Sequence, residues 1–114
     1  MFSILNIKHV FLIGSASNIS TICKTVRDQG LKPIVVTSPD QESEIKGNCR
    51  YSVFSKLDDS FYSFVLDSCK PANTLFVSLG SRWIFNKDTI KLMNNNLVNF
   101  HGSRLPFDAG GGEF

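Results

Sequence analysis

The sequence predicts an α/β domain, an open and mostly parallel β-sheet with helices on both faces. Three observations carry this. Short apolar runs alternate with helical patterns along the whole chain, the order that builds a parallel sheet with crossover helices. The clearest run, Val10-Phe11-Leu12-Ile13, is apolar at every position, as a strand buried on both faces must be. No internal repeat, low-complexity tract or linker interrupts the series, so all the elements belong to one domain.

The first strand, 10–13, is closed by Gly14, and residues 14–18 form a turn of small side chains. A helix follows over 19–29, with Ile19, Ile22, Cys23 and Val26 on one face and Gly30 as its stop. Residues 33–36 form the second strand, ended by Thr37-Ser38-Pro39-Asp40. The polar segment 41–50 reads as a loop or a poorly packed helical turn, and 51–54 as a short third strand. A second helix spans 58–69, started by Asp58 or Asp59 and presenting Phe61, Phe64, Val65 and Leu66. The fourth strand, 74–77, opens into Ser78-Leu79-Gly80. A short helix over 86–93 is capped by Asn86 with Asp88 in its first turn, and the last strand is 97–101.

Composition sets the class. A chain of 114 residues can bury one small core, and 42% hydrophobic with 19% charged residues is the balance of a folded globule. Ten phenylalanines imply a core built from large flat pieces. The net charge of +2, with lysines and arginines dispersed, gives no footprint for nucleic acid. Cys23, Cys49 and Cys69 are odd in number and contain no CxxC, which points to a reducing compartment and away from a disulfide framework or a zinc site. The opening run 1–7 is short and broken by Asn6, and no apolar run approaches the roughly 20 residues that cross a bilayer, so the expected location is the cytoplasm with no membrane partner.

In open parallel sheets ligands sit at the carboxyl ends of the strands, where three loops converge: 14–18, 78–85, and 101 onward. The first is not a dinucleotide fingerprint, because Ala16 and Ile19 occupy the later glycine places, and it lacks the lysine of a P-loop. Serine and alanine also stand where a receiver-type signalling domain places acidic residues. Ser17 and Asn18 either cap the following helix or help its amides to bind the phosphate of a substrate. In the second loop Arg82, Trp83, Ile84 and Phe85 either clasp a flat heteroaromatic ring or seal the core under the next helix.

The third loop follows Asn99-Phe100-His101. Side chains two apart on a strand share a face, so Asn99 and His101 project together with Phe100 opposite. An amide and an imidazole at a strand end can hold an oxyanion and handle a proton, which makes them the candidate catalytic pair. His9 precedes the first strand without a polar companion and reads as structural.

The stretch Asn99-Phe100-His101-Gly102-Ser103-Arg104-Leu105-Pro106, followed by Gly110-Gly111-Gly112, resembles the signature of the folate-dependent N-formyltransferases. That family includes glycinamide ribonucleotide, methionyl-tRNA and sugar-amine formyltransferases, and the resemblance implies their Rossmann-like amino-terminal domain. It also implies N10-formyltetrahydrofolate as formyl donor, with Arg82, Trp83, Ile84 and Phe85 lining the slot for its pterin ring. Asn99 and a protonated His101 would donate hydrogen bonds to the oxyanion formed when an amine attacks the formyl carbon, each worth about 3–4 kcal/mol.

The family completes this site with an aspartate from further along the chain. Asp108 is too near the motif to serve, so the sequence reads as the amino-terminal part of a longer enzyme or as a shortened product. In either case the 114-residue chain alone is expected to be inactive. Ser103 and Arg104 resemble the variants that act on nucleotide-linked amino sugars, whereas the 14–18 turn resembles the phosphate-binding turn of the glycinamide ribonucleotide enzymes. A sugar-amine acceptor is the first expectation and glycinamide ribonucleotide the alternative. The competing class is a non-catalytic module that binds folate or a nucleotide, or that self-associates through an uncovered sheet edge.

Overall fold

A computed structural model describes residues 6–15, 18–45, 50–81, 83 and 85–100, all but the side chain of Phe100. Five strands form one all-parallel sheet: β1 (His9–Gly14), β2 (Lys32–Thr37), β3 (Tyr51–Val53), β4 (Thr74–Leu79) and β5 (Leu97–Phe100), in the order β3-β2-β1-β4-β5. The helices are α1 (Ile19–Asp28), α2 (Asp59–Ser68) and α3 (Lys87–Leu92). The chain is therefore an α/β, Rossmann-like domain.

Element order follows the sequence expectation, and the differences lie at the ends. β1, β2 and β4 each run beyond their apolar runs because ladder bonds to a neighbouring strand continue past the last hydrophobic side chain. Ser78 and Leu79 thus belong to β4 and not to the loop after it. A single 3-10 turn occupies 42–44, in keeping with the helical turn that is one of the two readings of that polar segment, and another occupies 71–73, just before β4. Leu66 is 56% exposed, a correction to its place on the apolar face of α2, since that helix buries Phe61 and Val65, one turn apart.

The starts and stops of the helices have local causes. The Asp58 carboxylate accepts from the Ser60 and Phe61 amides, which caps α2. Gly30, at φ +79°, ends α1, its N–H bonded to the Arg27 carbonyl at 2.9 Å.

The sheet is coated on both sides. Phe11 and Ile13 point to one face, where they join Val36, Phe61, Val65, Phe76 and Met93 beneath α2 and α3. Val10 and Leu12 point to the other, with Val35, Ile19 and Cys23 beneath α1. Ile22 and Val26 complete the apolar face of α1. The phenylalanine-rich core is literal: Phe11 stacks on Phe76 at 5.1 Å and meets Phe64 edge-on at 6.1 Å. Phe54 meets Phe61 edge-on at 5.5 Å. Each fully buried phenylalanine contributes about 1.5–3 kcal/mol of hydrophobic stabilisation, and each ring pair about 0.5–1.5 more.

Cys23 is buried, and Cys69, partly buried, donates its thiol to the Val65 carbonyl. Burial pushes the Cys69 thiol pKa up against an opposing hydrogen bond with Thr74, which favours the protonated thiol. Cys49 lies outside the described residues. Among the described residues no helix is long and apolar enough to cross a membrane, and no three metal-ligating side chains gather.

Strand order reverses between β1 and β4: the chain moves outward through β2 and β3, then returns to β4 on the other side of β1. Ligand crevices in such sheets open at this reversal. At the reversal the Ser15 N–H donates to the Leu79 carbonyl at 3.1 Å, and Gly14, at φ +114°, lies directly against that carbonyl. A Cβ at position 14 would collide with the Leu79 oxygen and come within 3.1 Å of the Ser81 nitrogen, both of them rigid backbone. Gly14→Ala is expected to destabilise the domain by more than about 2 kcal/mol in urea unfolding, from steric conflict and left-handed strain together.

His9 opens β1 between Lys32 and Thr74 on the neighbouring strands, and its Nδ1 is buried with no partner among the described residues. Burial first, then the charges of Lys32 and Lys8, hold its pKa below the ordinary 6.5. The unfolded chain therefore takes up this proton more readily than the folded one. The stability His9 permits is present above pH 6.5 and is lost as pH falls through the lower folded pKa. Wild type should lose more stability than His9→Gln between about pH 7.5 and about pH 5 in urea unfolding; equal losses would assign the pH dependence to other groups.

Candidate functional site

Among the described residues, open space at the carboxyl edge lies beside β4 and β5. A cavity of about 550 Å³ sits there, lined by Ser78, Gly80, Ser81, Trp83, Phe85, Ile90, Leu97 and Asn99. Its floor follows from strand register. Ser78 pairs with Asn99 and Phe76 with Leu97 across β4 and β5, and paired positions in a parallel ladder point to the same face. Ser78 is buried under this face, whereas Asn99, nearer the end of the edge strand, is exposed.

The wall is set by α3, only six residues long and dependent on its cap. Asn86 Oδ1 accepts from the Thr89 N–H at 2.9 Å and from the Thr89 hydroxyl at 3.0 Å. That hydroxyl has only one proton, so the Tyr62 hydroxyl, 2.9 Å away, must be the donor in their contact. The chain Tyr62, Thr89, Asn86 thus ties α2 to α3 and holds Ile90 against the cavity.

Trp83 and Phe85 belong to two environments. Both pack on the core beneath α2 and α3, with the Trp83 ring 6.0 Å from that of Phe61, and both line the cavity. Sealing the core and offering a flat aromatic wall are therefore compatible for these two residues. The Ser81 hydroxyl accepts from the Trp83 N–H at 3.1 Å, which fixes the backbone leading to the ring. Arg82 and Ile84 lie outside the described residues.

Of the two residues considered catalytic, Asn99 stands on the cavity, and His101 lies outside the described residues, as do Ser103, Arg104 and Ser17. Asn18 occupies the N-cap position of α1, but its side chain makes no capping hydrogen bond, which corrects the capping expectation for that residue. The first turn of α1 holds no acidic residue, and Asn18 does not line the cavity.

Sequence reasoning passed over Ile90 and Leu97, whose signals were available: Leu97 lies two before Asn99 on its strand, and Ile90 four after the cap of α3. It also passed over Gln41, at the start of the segment read as a loop or a poorly packed helical turn. Gln41 is 4% exposed, and its amide nitrogen donates to the Gly80 carbonyl at 3.0 Å and to Ser15 Oγ at 3.4 Å. Its oxygen accepts from the nearby Ser38 hydroxyl at 3.3 Å, but nothing in the local pattern marks the two contacts of its nitrogen, whose partners stand 26 and 39 residues away.

No family model, curated protein or solved structure matches the chain. Replacing Asn86 by Ala removes the cap and leaves the buried Thr89 without its acceptor. The expected loss is about 1–2 kcal/mol in urea unfolding, with a smaller loss for Asn86→Ser or Asn86→Asp, which keep an acceptor at this position.

Proposed function

We propose that this chain provides the donor-binding part of a folate-dependent N-formyltransferase, in which N10-formyltetrahydrofolate and a primary amine meet at the carboxyl edge of β4 and β5. One observation carries the reading: Asn99, the first residue of the Asn-x-His motif, lines the same cavity as the aromatic pair Trp83 and Phe85. Two parts of the sequence singled out for different reasons thus meet at one place. The cavity also suits the donor, being within the size range of small-molecule sites, apolar at Trp83, Phe85, Ile90 and Leu97, and polar at Ser78, Ser81 and Asn99.

In this reading the aromatic wall receives the flat pterin ring, and the backbone of residues 80–81 offers polar groups to its edge. Amine attack on the formyl carbon drives the carbonyl electrons onto oxygen. The Asn99 amide nitrogen, exposed at the strand end, donates a hydrogen bond to that oxygen, and His101 supplies a second donor and a proton. Of the acceptors, a nucleotide-linked amino sugar is favoured by Ser103 and Arg104 in the sequence, with glycinamide ribonucleotide as the alternative.

Binding of tetrahydrofolate to the 114-residue chain, followed by titration calorimetry, tests the donor site. Wild type is expected to bind and Trp83→Ala to bind about tenfold more weakly. Absence of binding by folded wild type overturns the proposal. In a form that transfers the formyl group, Asn99→Ala should lower kcat about 10²–10³-fold while affecting KM less. Comparing the two amines as acceptors in that form identifies the substrate.

A further inference from the structure

A residue that does not line the cavity reaches the segment that carries its aromatic wall. Gln41 follows β2, and Gly80 follows β4, with β1 between them in the sheet. Strands two apart lie about 9–10 Å from one another, too far for backbone contact, and the Gln41 side chain closes that gap. A carbonyl oxygen only accepts hydrogen bonds, so the amide nitrogen must face Gly80, which fixes the orientation of the side chain.

Its second proton goes to Ser15 Oγ, whose own proton goes to the Glu44 carboxylate at 2.6 Å. The loops after β1, β2 and β4 are joined in this way by one buried amide. From Gly80 the connection runs on through Ser81, whose hydroxyl holds the Trp83 N–H, and Gly80, Ser81 and Trp83 all line the cavity.

We propose that Gln41 is the positioning residue of this site, setting residues 80–83 so that Trp83 presents its ring as a wall for a planar ligand. Gln41→Leu removes the donor. Gln41→Glu keeps the length but turns a carboxylate toward the Gly80 carbonyl, beside the carboxylates of Asp40 and Glu44. Thr74→Val is the control, since the buried Thr74 hydroxyl donates to the Lys70 carbonyl at the amino end of β4, away from Gln41, Gly80 and Trp83. Its loss should alter stability without altering the wall.

Trp83 is the sole tryptophan, so intrinsic fluorescence reads the wall directly. In both Gln41 variants, judged folded by circular dichroism, Trp83 emission should shift to longer wavelength and acrylamide quenching should rise, whereas Thr74→Val should match wild type. Tetrahydrofolate, whose use as the probe rests on the proposed function, should bind the Gln41 variants about tenfold more weakly. Unchanged Trp83 emission and quenching in either folded variant overturns the positioning role, whatever the ligand. Failure of wild type to bind tetrahydrofolate overturns only the formyltransferase reading. Should neither variant fold, amide exchange in wild type decides: the Gln41 side-chain protons should exchange slowly, and exchange at the rate of free glutamine overturns the proposal.

Discussion

The approach of Gly14 to the Leu79 carbonyl organises the carboxyl edge of this domain. β1 is the central strand, and its neighbour β4 is the one reached after the chain reverses direction across the sheet. Only a residue without a Cβ can end β1 where the carbonyl of the neighbouring strand intrudes. The Ser15 amide satisfies that carbonyl and continues the β1–β4 ladder past the strand ends. From there Gly80, Ser81, Trp83 and Phe85 lead onto the cavity beside β4 and β5, with Trp83 and Phe85 packed on the core.

Its place at the ends of β4 and β5 explains the mixed character of the site. The core beneath α2 and α3 runs outward along β4 and β5 as Phe76 and Leu97, and it grades into polar positions at Ser78 and Asn99 as the strands end. Strand period places an apolar floor and a polar rim on the same face, two residues apart. A planar, partly polar molecule matches such a surface better than a purely apolar or a highly charged one. The elements that hold the wall are polar networks under partial cover: Tyr62, Thr89 and Asn86 on the helical side, and Ser15, Gln41 and Glu44 on the loop side. Polar chains of this kind specify geometry strongly, because a broken member leaves a group short of its partner.

Much of the fold was legible in the chain. Val10 to Ile13 announced a strand buried on both faces, Gly30 the stop of α1, Asp58 and Asn86 the caps of α2 and α3. These signals are local, acting within one turn or one strand. Strand ends were less legible, since the length of β4 depends on where β1 and β5 stop beside it. Leu66 misled for a related reason: an apolar residue adjacent to a buried one on a helix is turned about 100° away from it.

The sequence by itself determined the alternation of elements, the parallel sheet, the two-faced burial of β1 and the candidate status of Asn99, Trp83 and Phe85, because each depends on patterns a few residues long. The tertiary structure decided which of these residues share a cavity, and that Asn18 does not cap α1 with its side chain. It also decided that Gln41, unremarkable in sequence, joins three loops. Those outcomes depend on strand order and on contacts across tens of residues, which are fixed only when β4 returns beside β1 and the loops at the carboxyl edge come within hydrogen-bond reach.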